Sequence, residues 1–193
     1  SGPLRAATEA ARRELKAEGP VVLGCDVARF GHDKTVVVRR QGQVARIVWR
    51  VRGHDTMQTV GFLKRYCDEH RIDSIVVDDT GVGGGVVDRL KEVRPRGARV
   101  VAFKGGASPE SDGYFMNRVG EVWWIMRQAY IAGELDTEDD PALIGQVAGR
   151  GYKRESDGRI RLQSKYDMRK SPDEADALAM TFAVSRDRVR IWV

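Results

Sequence analysis

Histidine and cysteine are scarce in this chain, at three and two of 193 residues. Cys25 falls in a predicted buried strand and Cys67 in a predicted helix, and neither belongs to a metal-ligand spacing. That excludes a zinc site and a disulfide framework, and it points to a reducing compartment. Long apolar runs are absent too. None approaches the ~20 residues needed to cross a bilayer, and no secretory signal is visible. There is no internal repeat and no low-complexity segment. What remains is a composition 41% hydrophobic and 32% charged, over a length that suits one globular domain with a full core. Ser1-Gly2-Pro3 reads as a cloning remnant. Residues 1–20 are expected to be that remnant plus a linker helix, Ala6 to Glu18, ahead of a domain over 21–193.

The formal net charge is +5, and its distribution says more than its total. From Arg150 to Lys170 there are eight basic residues against three acids, so this stretch carries as much net charge as the whole chain. A local basic patch favours a polyanion such as nucleic acid. The residues expected to grip it are Lys153, Arg154, Arg159, Arg161, Lys165 and Lys170. The plainer alternative is a solvated hairpin and loop.

The periodicity gives an ordered set of elements. Val21 to Ala28 is apolar on both faces, as a central strand is. Thr35 to Arg40 and Val44 to Val51 alternate and are joined at Gln41-Gly42-Gln43, a short hairpin signal. Thr56 to Arg71 has helical period. Ser74 to Asp78 is a second buried strand, followed by a glycine-rich turn and a helix to about Val93. Arg99 to Phe103 is a strand. Lys104 to Gly113 is a loop expected to be mobile. Tyr114 to Ala132 is a helix, with Phe115, Val119, Val122, Trp123, Met126 and Tyr130 on one side. Asp140 to Gln146 reads as a short helix. Gly151 to Glu155 and Arg159 to Gln163 flank the turn Ser156-Asp157-Gly158. A last helix starts at Ser171. An antiparallel meander followed by alternating helices and strands predicts an α/β mixed sheet flanked by helices, its later strands parallel to the first.

Carboxylates stand where this pattern has no structural use for them. Asp26 ends the first apolar strand, Asp78 and Asp79 end the second, and Asp173 and Asp176 open a small apolar helix. A carboxylate taken from water costs several kcal/mol unless something pairs it. Three such sites far apart in sequence suggest one shared partner, a divalent metal. Adjacent strand residues face opposite ways, so one of Asp78 and Asp79 points at the site, with Asp78 favoured. Asp173 and Asp176 lie one turn apart and can share a face. Asp173 is expected to bind directly and Asp176 to support it or share the metal. Asp33, behind the Gly31 turn, is a candidate outer ligand.

Other motifs read structurally. Gly81-Val82-Gly83-Gly84-Gly85 lacks the signature of a P-loop or a dinucleotide fingerprint, so it reads first as a tight, closely packed strand-to-helix turn, with a phosphate cradle as the alternative. Ser171-Pro172-Asp173-Glu174 has the form of a capping box that accounts for Ser171 and Glu174. Trp123 belongs to a core stripe. Trp124 is expected to be exposed or to meet a partner.

Four segments in order carry a resemblance: Asp26 to Asp33, Val77 to Leu90, Tyr114 to Trp124 and Lys170 to Leu178. Together they resemble the C-terminal nuclease domain of tailed-phage large terminase subunits, over about Val21 to Val184. The resemblance implies a ribonuclease-H-like fold and a divalent-metal DNA endonuclease that cuts concatemeric viral DNA in the host cytoplasm. It implies Mg²⁺ or Mn²⁺, two ions with substrate bound, held by Asp26, Asp78 or Asp79, and Asp173. Its implied partners are double-stranded DNA, an N-terminal packaging ATPase domain, the portal and the small terminase subunit. No membrane partner is expected. Alternatives within the fold are a junction resolvase or an integrase-like nuclease. From other classes come a non-catalytic DNA-binding module and a sugar-kinase-like ATPase, for which the length leaves no second domain.

Overall fold

The computed structural model describes residues 2–28, 34–111 and 113–184. Five strands form one sheet in the order β3-β2-β1-β4-β5. They are β1 (Val21–Asp26), β2 (Lys34–Gln41), β3 (Val44–Arg52), β4 (Ser74–Asp78) and β5 (Arg99–Phe103). The first three are antiparallel, and β4 and β5 run parallel to β1. This is the expected mixed sheet. A bulge at Val37/Val38 interrupts the β2–β3 ladder. A separate two-stranded hairpin joins β6 (Tyr152–Arg154) to β7 (Ile160–Leu162).

Both sheet faces are covered. On one, Leu23, Cys25, Ile75 and Val77 pack with Val60 and Leu63 of α2 (Thr56–Glu69) and with Val86 and Leu90 of α3 (Gly83–Val93). On the other, Val22, Val36 and Val76 meet Val122, Trp123 and Met126 of α4 (Arg118–Ile131) and Ala177 and Leu178 of α6 (Asp173–Met180). β1 is buried along its whole length, as a strand between two helical layers must be. Both cysteines are buried free thiols.

Strand alternation then decides which way the acids face. Asp26 shares the α6 face with Val22 and Gly24, and Asp78 shares it with Val76. Cys25 is level with Val77, so Asp26 and Asp78 end neighbouring parallel strands side by side. Gly24 lets α6 lie directly on β1. A Cβ there would stand 1.9 Å from the Ala177 carbonyl oxygen. Gly83 allows an equally close turn, because a Cβ on it would meet the Asp78 carbonyl oxygen at 1.6 Å. Close packing of α3 against the end of β4 thus accounts for Gly83, and a left-handed turn (φ 72°) for Gly81.

Several local expectations change. The N-terminal helix is α1 (Pro3–Ala10) rather than 6–18, and it buries Ala6, Ala7 and Ala10 in the main core. The helix after the loop starts at Arg118, because the Asn117 side chain accepts from the Gly120 amide at 3.1 Å and caps it. Phe115 is therefore buried outside that helix, bridged to Ile160. The described part of the 104–113 loop is tied down. Buried Glu121 accepts from the Glu110 and Ser111 amides at 2.9 and 2.7 Å, and the Arg118 amide donates to the Ala107 carbonyl at 2.9 Å. α5 is Pro141–Gly149, capped by Asp140.

Candidate active site

Asp26 is buried at the end of β1, only 7% exposed. Burial pushes its carboxyl well above the usual carboxylate range, and Asp176, Asp173 and Asp78 push it further, against a smaller pull from Lys165. So the structure brings four of the five strand-end and helix-start acids into one electrostatic group. Asp79 stands apart. Its carboxylate lies 3.7 Å from Lys104, and one oxygen sits 3.0 Å from where a Cβ on Gly84 would stand. Asp78 faces the cleft, where its Oδ1 also accepts from the Thr80 amide at 2.9 Å. Asp33 lies outside the described residues.

The helix-borne acids are held in different ways. Asp176 accepts from the Trp123 indole and from Arg150 Nη1, each at 2.7 Å, on the same oxygen. Burial raises its carboxyl, and Arg150 and Trp123 work the other way. Arg150 is itself buried, stacked 4.6 Å above the Trp123 ring and bonded to the Gln163 carbonyl. Although it belongs to the basic stretch, its charge is spent inside the protein. Asp173 is 5% exposed; burial raises its carboxyl, while Ser171 and Lys34 lower it.

Glu174 is not part of a capping box. Pro172 is the N-cap and offers no side chain, and the Ala175 amide is instead met by Gln146 Oε1 at 2.9 Å. The fully buried Glu174 carboxylate receives Lys34, Gln146 and, at 2.9 Å, Arg50. Burial pushes its carboxyl up, but the hydrogen bonds from Lys34 and Gln146 outweigh that and hold it below the usual range. Three side chains from β2, β3 and α5 therefore fix the first turn of α6 beside Asp26. Sequence reading missed this cluster and the Arg150–Asp176 pair. Their partners lie 26 to 140 residues apart, and no local pattern marks them.

Asp78 and Asp176 open into a cleft of about 710 Å³, walled by the β6–β7 hairpin and the 3₁₀ turn Lys165–Asp167. Lys153, Arg161 and Lys165 line it; Lys153 and Arg161 share the single carboxylate of Glu155, at 3.3 and 2.6 Å. Lys170 lines a second groove, on the Asp173 side, together with Lys34, Arg52 and Arg169. Arg154 is exposed on β6, and Arg159 closes on Asp157 at 2.7 Å. Trp124 is half-buried, edge-on to Tyr152.

Among the described residues, no three carboxylate, imidazole or thiol groups are arranged to enclose a metal ion as they stand. The donor chemistry nonetheless fits a hard divalent cation: only carboxylate oxygens converge, and burial, reinforced by their mutual repulsion, holds Asp26 toward its protonated form. A cation placed among them would reverse that penalty.

No protein-family model and no curated protein matches the sequence. Solved structures do match. A mutant nuclease domain of the large terminase subunit gp2 of bacterial virus Sf6, with manganese and beta-thujaplicinol, superposes with a TM-score of 0.75 at 23% identity, covering 92% of this chain and 94% of that one. The large terminase nuclease from thermophilic phage G20c with bound magnesium gives 0.68 at 14% identity, covering 95% and 97%. The Thermus phage P74-26 large terminase nuclease domain gives 0.64 at 14%, covering 94% of each chain. The chain has the ribonuclease-H-like fold of these nuclease domains.

Proposed function

We propose that this chain is the nuclease domain of a phage large terminase subunit, a divalent-metal-dependent endonuclease that cuts concatemeric viral DNA with little sequence preference. One observation carries the reading. Asp26 and Asp78 end adjacent parallel strands beneath the first turn of α6, which brings Asp173 and Asp176 to them at the head of a basic cleft. That placement in this fold suits phosphodiester chemistry better than a binding module, which has no use for four crowded acids, two of them buried.

In this reading Asp26, Asp78 and Asp173 would hold Mg²⁺ or Mn²⁺, two ions once DNA is bound. Ions held there would supply Lewis-acid chemistry for an in-line displacement, favouring an ionised water and charge on the leaving oxygen. The chain's own residues supply the rest. Glu174, through Lys34, Arg50 and Gln146, keeps the start of α6 in place. Arg150 and Trp123 hold one Asp176 oxygen, so Asp176 supports the site rather than carrying the metal alone. Lys153, Arg161 and Lys165 draw the DNA backbone into the cleft, and Lys170 takes it along the Asp173 side. Backbone contacts fix position and carry no sequence information, hence the low specificity. The solved relatives with magnesium or manganese support the metal. The working partners would be double-stranded DNA, a packaging ATPase domain, the portal and the small terminase subunit, in the host cytoplasm. No helix among the described residues is long and apolar enough to cross a membrane.

Supercoiled plasmid incubated with Mn²⁺ tests the reading. The wild-type protein nicks and linearises it, EDTA stops the reaction, and Asp26→Asn leaves the plasmid intact. Equal cutting by Asp26→Asn and wild type refutes the assignment.

A further inference from the structure

Tyr166 is 79% exposed, more than any other large hydrophobic or aromatic side chain described; Leu4 follows at 59%. It is not on a frayed segment. The 3₁₀ turn Lys165–Asp167 is capped by Ser164, whose side chain accepts from the Tyr166 amide at 3.3 Å, and the Asp167 and Met168 amides close on Ser164 and Lys165. The turn therefore holds the ring in water at the lip of the cleft that Asp78 and Asp176 line. Lys153, Arg161 and Lys165 line the same cleft, so the ring stands beside the cations expected to hold a phosphodiester backbone.

Aromatic rings bind nucleic acid by stacking on a base, and any base has the required face. In an intact duplex those faces are already covered by neighbouring pairs, and an enzyme reaches one only when the base leaves the stack. Tyr166 lines the same cleft as Asp78 and Asp176, so a base stacked on its ring would lie beside those acids. We propose that Tyr166 stacks on an unpaired base beside the phosphate to be cut, so that the substrate of the cleft is DNA opened locally at the cutting step. This rests on the nuclease reading above and names the form of DNA that the site accepts.

Two duplexes test it in Ca²⁺, one with a single bulged 2-aminopurine and one fully paired. Wild type should bind the bulged duplex and quench its fluorescence by stacking. Tyr166→Ala should bind it about 5- to 150-fold more weakly without the quench, and Tyr166→Phe should match wild type. Tyr166→Leu, which keeps bulk without a π face, should behave as Tyr166→Ala. The paired duplex should bind all four proteins alike, because backbone contacts dominate there. An unchanged affinity and quench in Tyr166→Ala overturns the proposal. If wild type still cuts plasmid with Mn²⁺, the nuclease reading survives that failure; if it does not cut, both fall.

Discussion

Replacing Asp26 with Asn separates the cost of the acid from its use. The amide is nearly isosteric and stays neutral in a position only 7% exposed among Asp176, Asp173 and Asp78. The folded Asp26 carboxyl titrates above its unfolded value of about 3.9. Its contribution to stability is therefore fully present below about pH 4 and is lost as pH rises toward and through the folded value, because the unfolded chain ionises first. Each unit of upward shift removes about 1.4 kcal/mol at neutral pH. For a domain of this size that is about 3–6 °C in melting temperature. Metal-free Asp26→Asn should thus melt higher than wild type at pH 7.5 and equal to it near pH 3.5. Mn²⁺ at a hundred times its dissociation constant adds about 2.7 kcal/mol to a protein that binds it, or about 5–11 °C here. Wild type should show that shift and Asp26→Asn should lose most of it. Scanning fluorimetry at two pH values with and without MnCl₂ reads all four states. Equal melting of the two metal-free proteins at pH 7.5, with equal Mn²⁺ shifts, would refute both the crowding of Asp26 and its role as a ligand.

Arg150→Ala leaves the Asp176 carboxylate, whose side chain is 14% exposed, without its cation. It should cost about 3–5 kcal/mol by chemical denaturation, and Arg150→Met combined with Asp176→Asn should recover part of the loss. Lys165→Ala should weaken duplex binding and reduce the log–log salt slope by about 0.9. Arg159→Ala, whose guanidinium is closed on Asp157 at 2.7 Å, should leave that slope unchanged in fluorescence anisotropy titrations.

Much of the fold was legible in the sequence because two signals agree at each strand. Ser74 to Asp78 and Arg99 to Phe103 are apolar runs bounded by turns, and both strands have those ends. The choice of Asp78 over Asp79 follows from alternation alone once the inner face of Val76 is known. Ser171 to Glu174 was misread for a physical reason. The local pattern is an adequate cap, but Gln146, 29 residues earlier, supplies the cap, and Glu174 is drawn away by Lys34 and Arg50. Arg150 looked like its basic neighbours for the same reason. Whether an arginine faces solvent or an internal carboxylate is decided by what a distant helix presents to it, here Trp123 and Asp176.

The contact between Gly24 and Ala177 acts as a mechanical stop. The gap between the strand-borne and helix-borne acids is set there by main chain resting on main chain, and no side chain fills it. Neighbouring core residues can drift in size over generations and be absorbed by rotamer changes elsewhere without altering that gap. Position 24 has no such latitude, since any added carbon must lift α6 and carry Asp173 and Asp176 away from Asp26. The spacing of the site is therefore insulated from most of the core and exposed to mutation at one hydrogen-sized position.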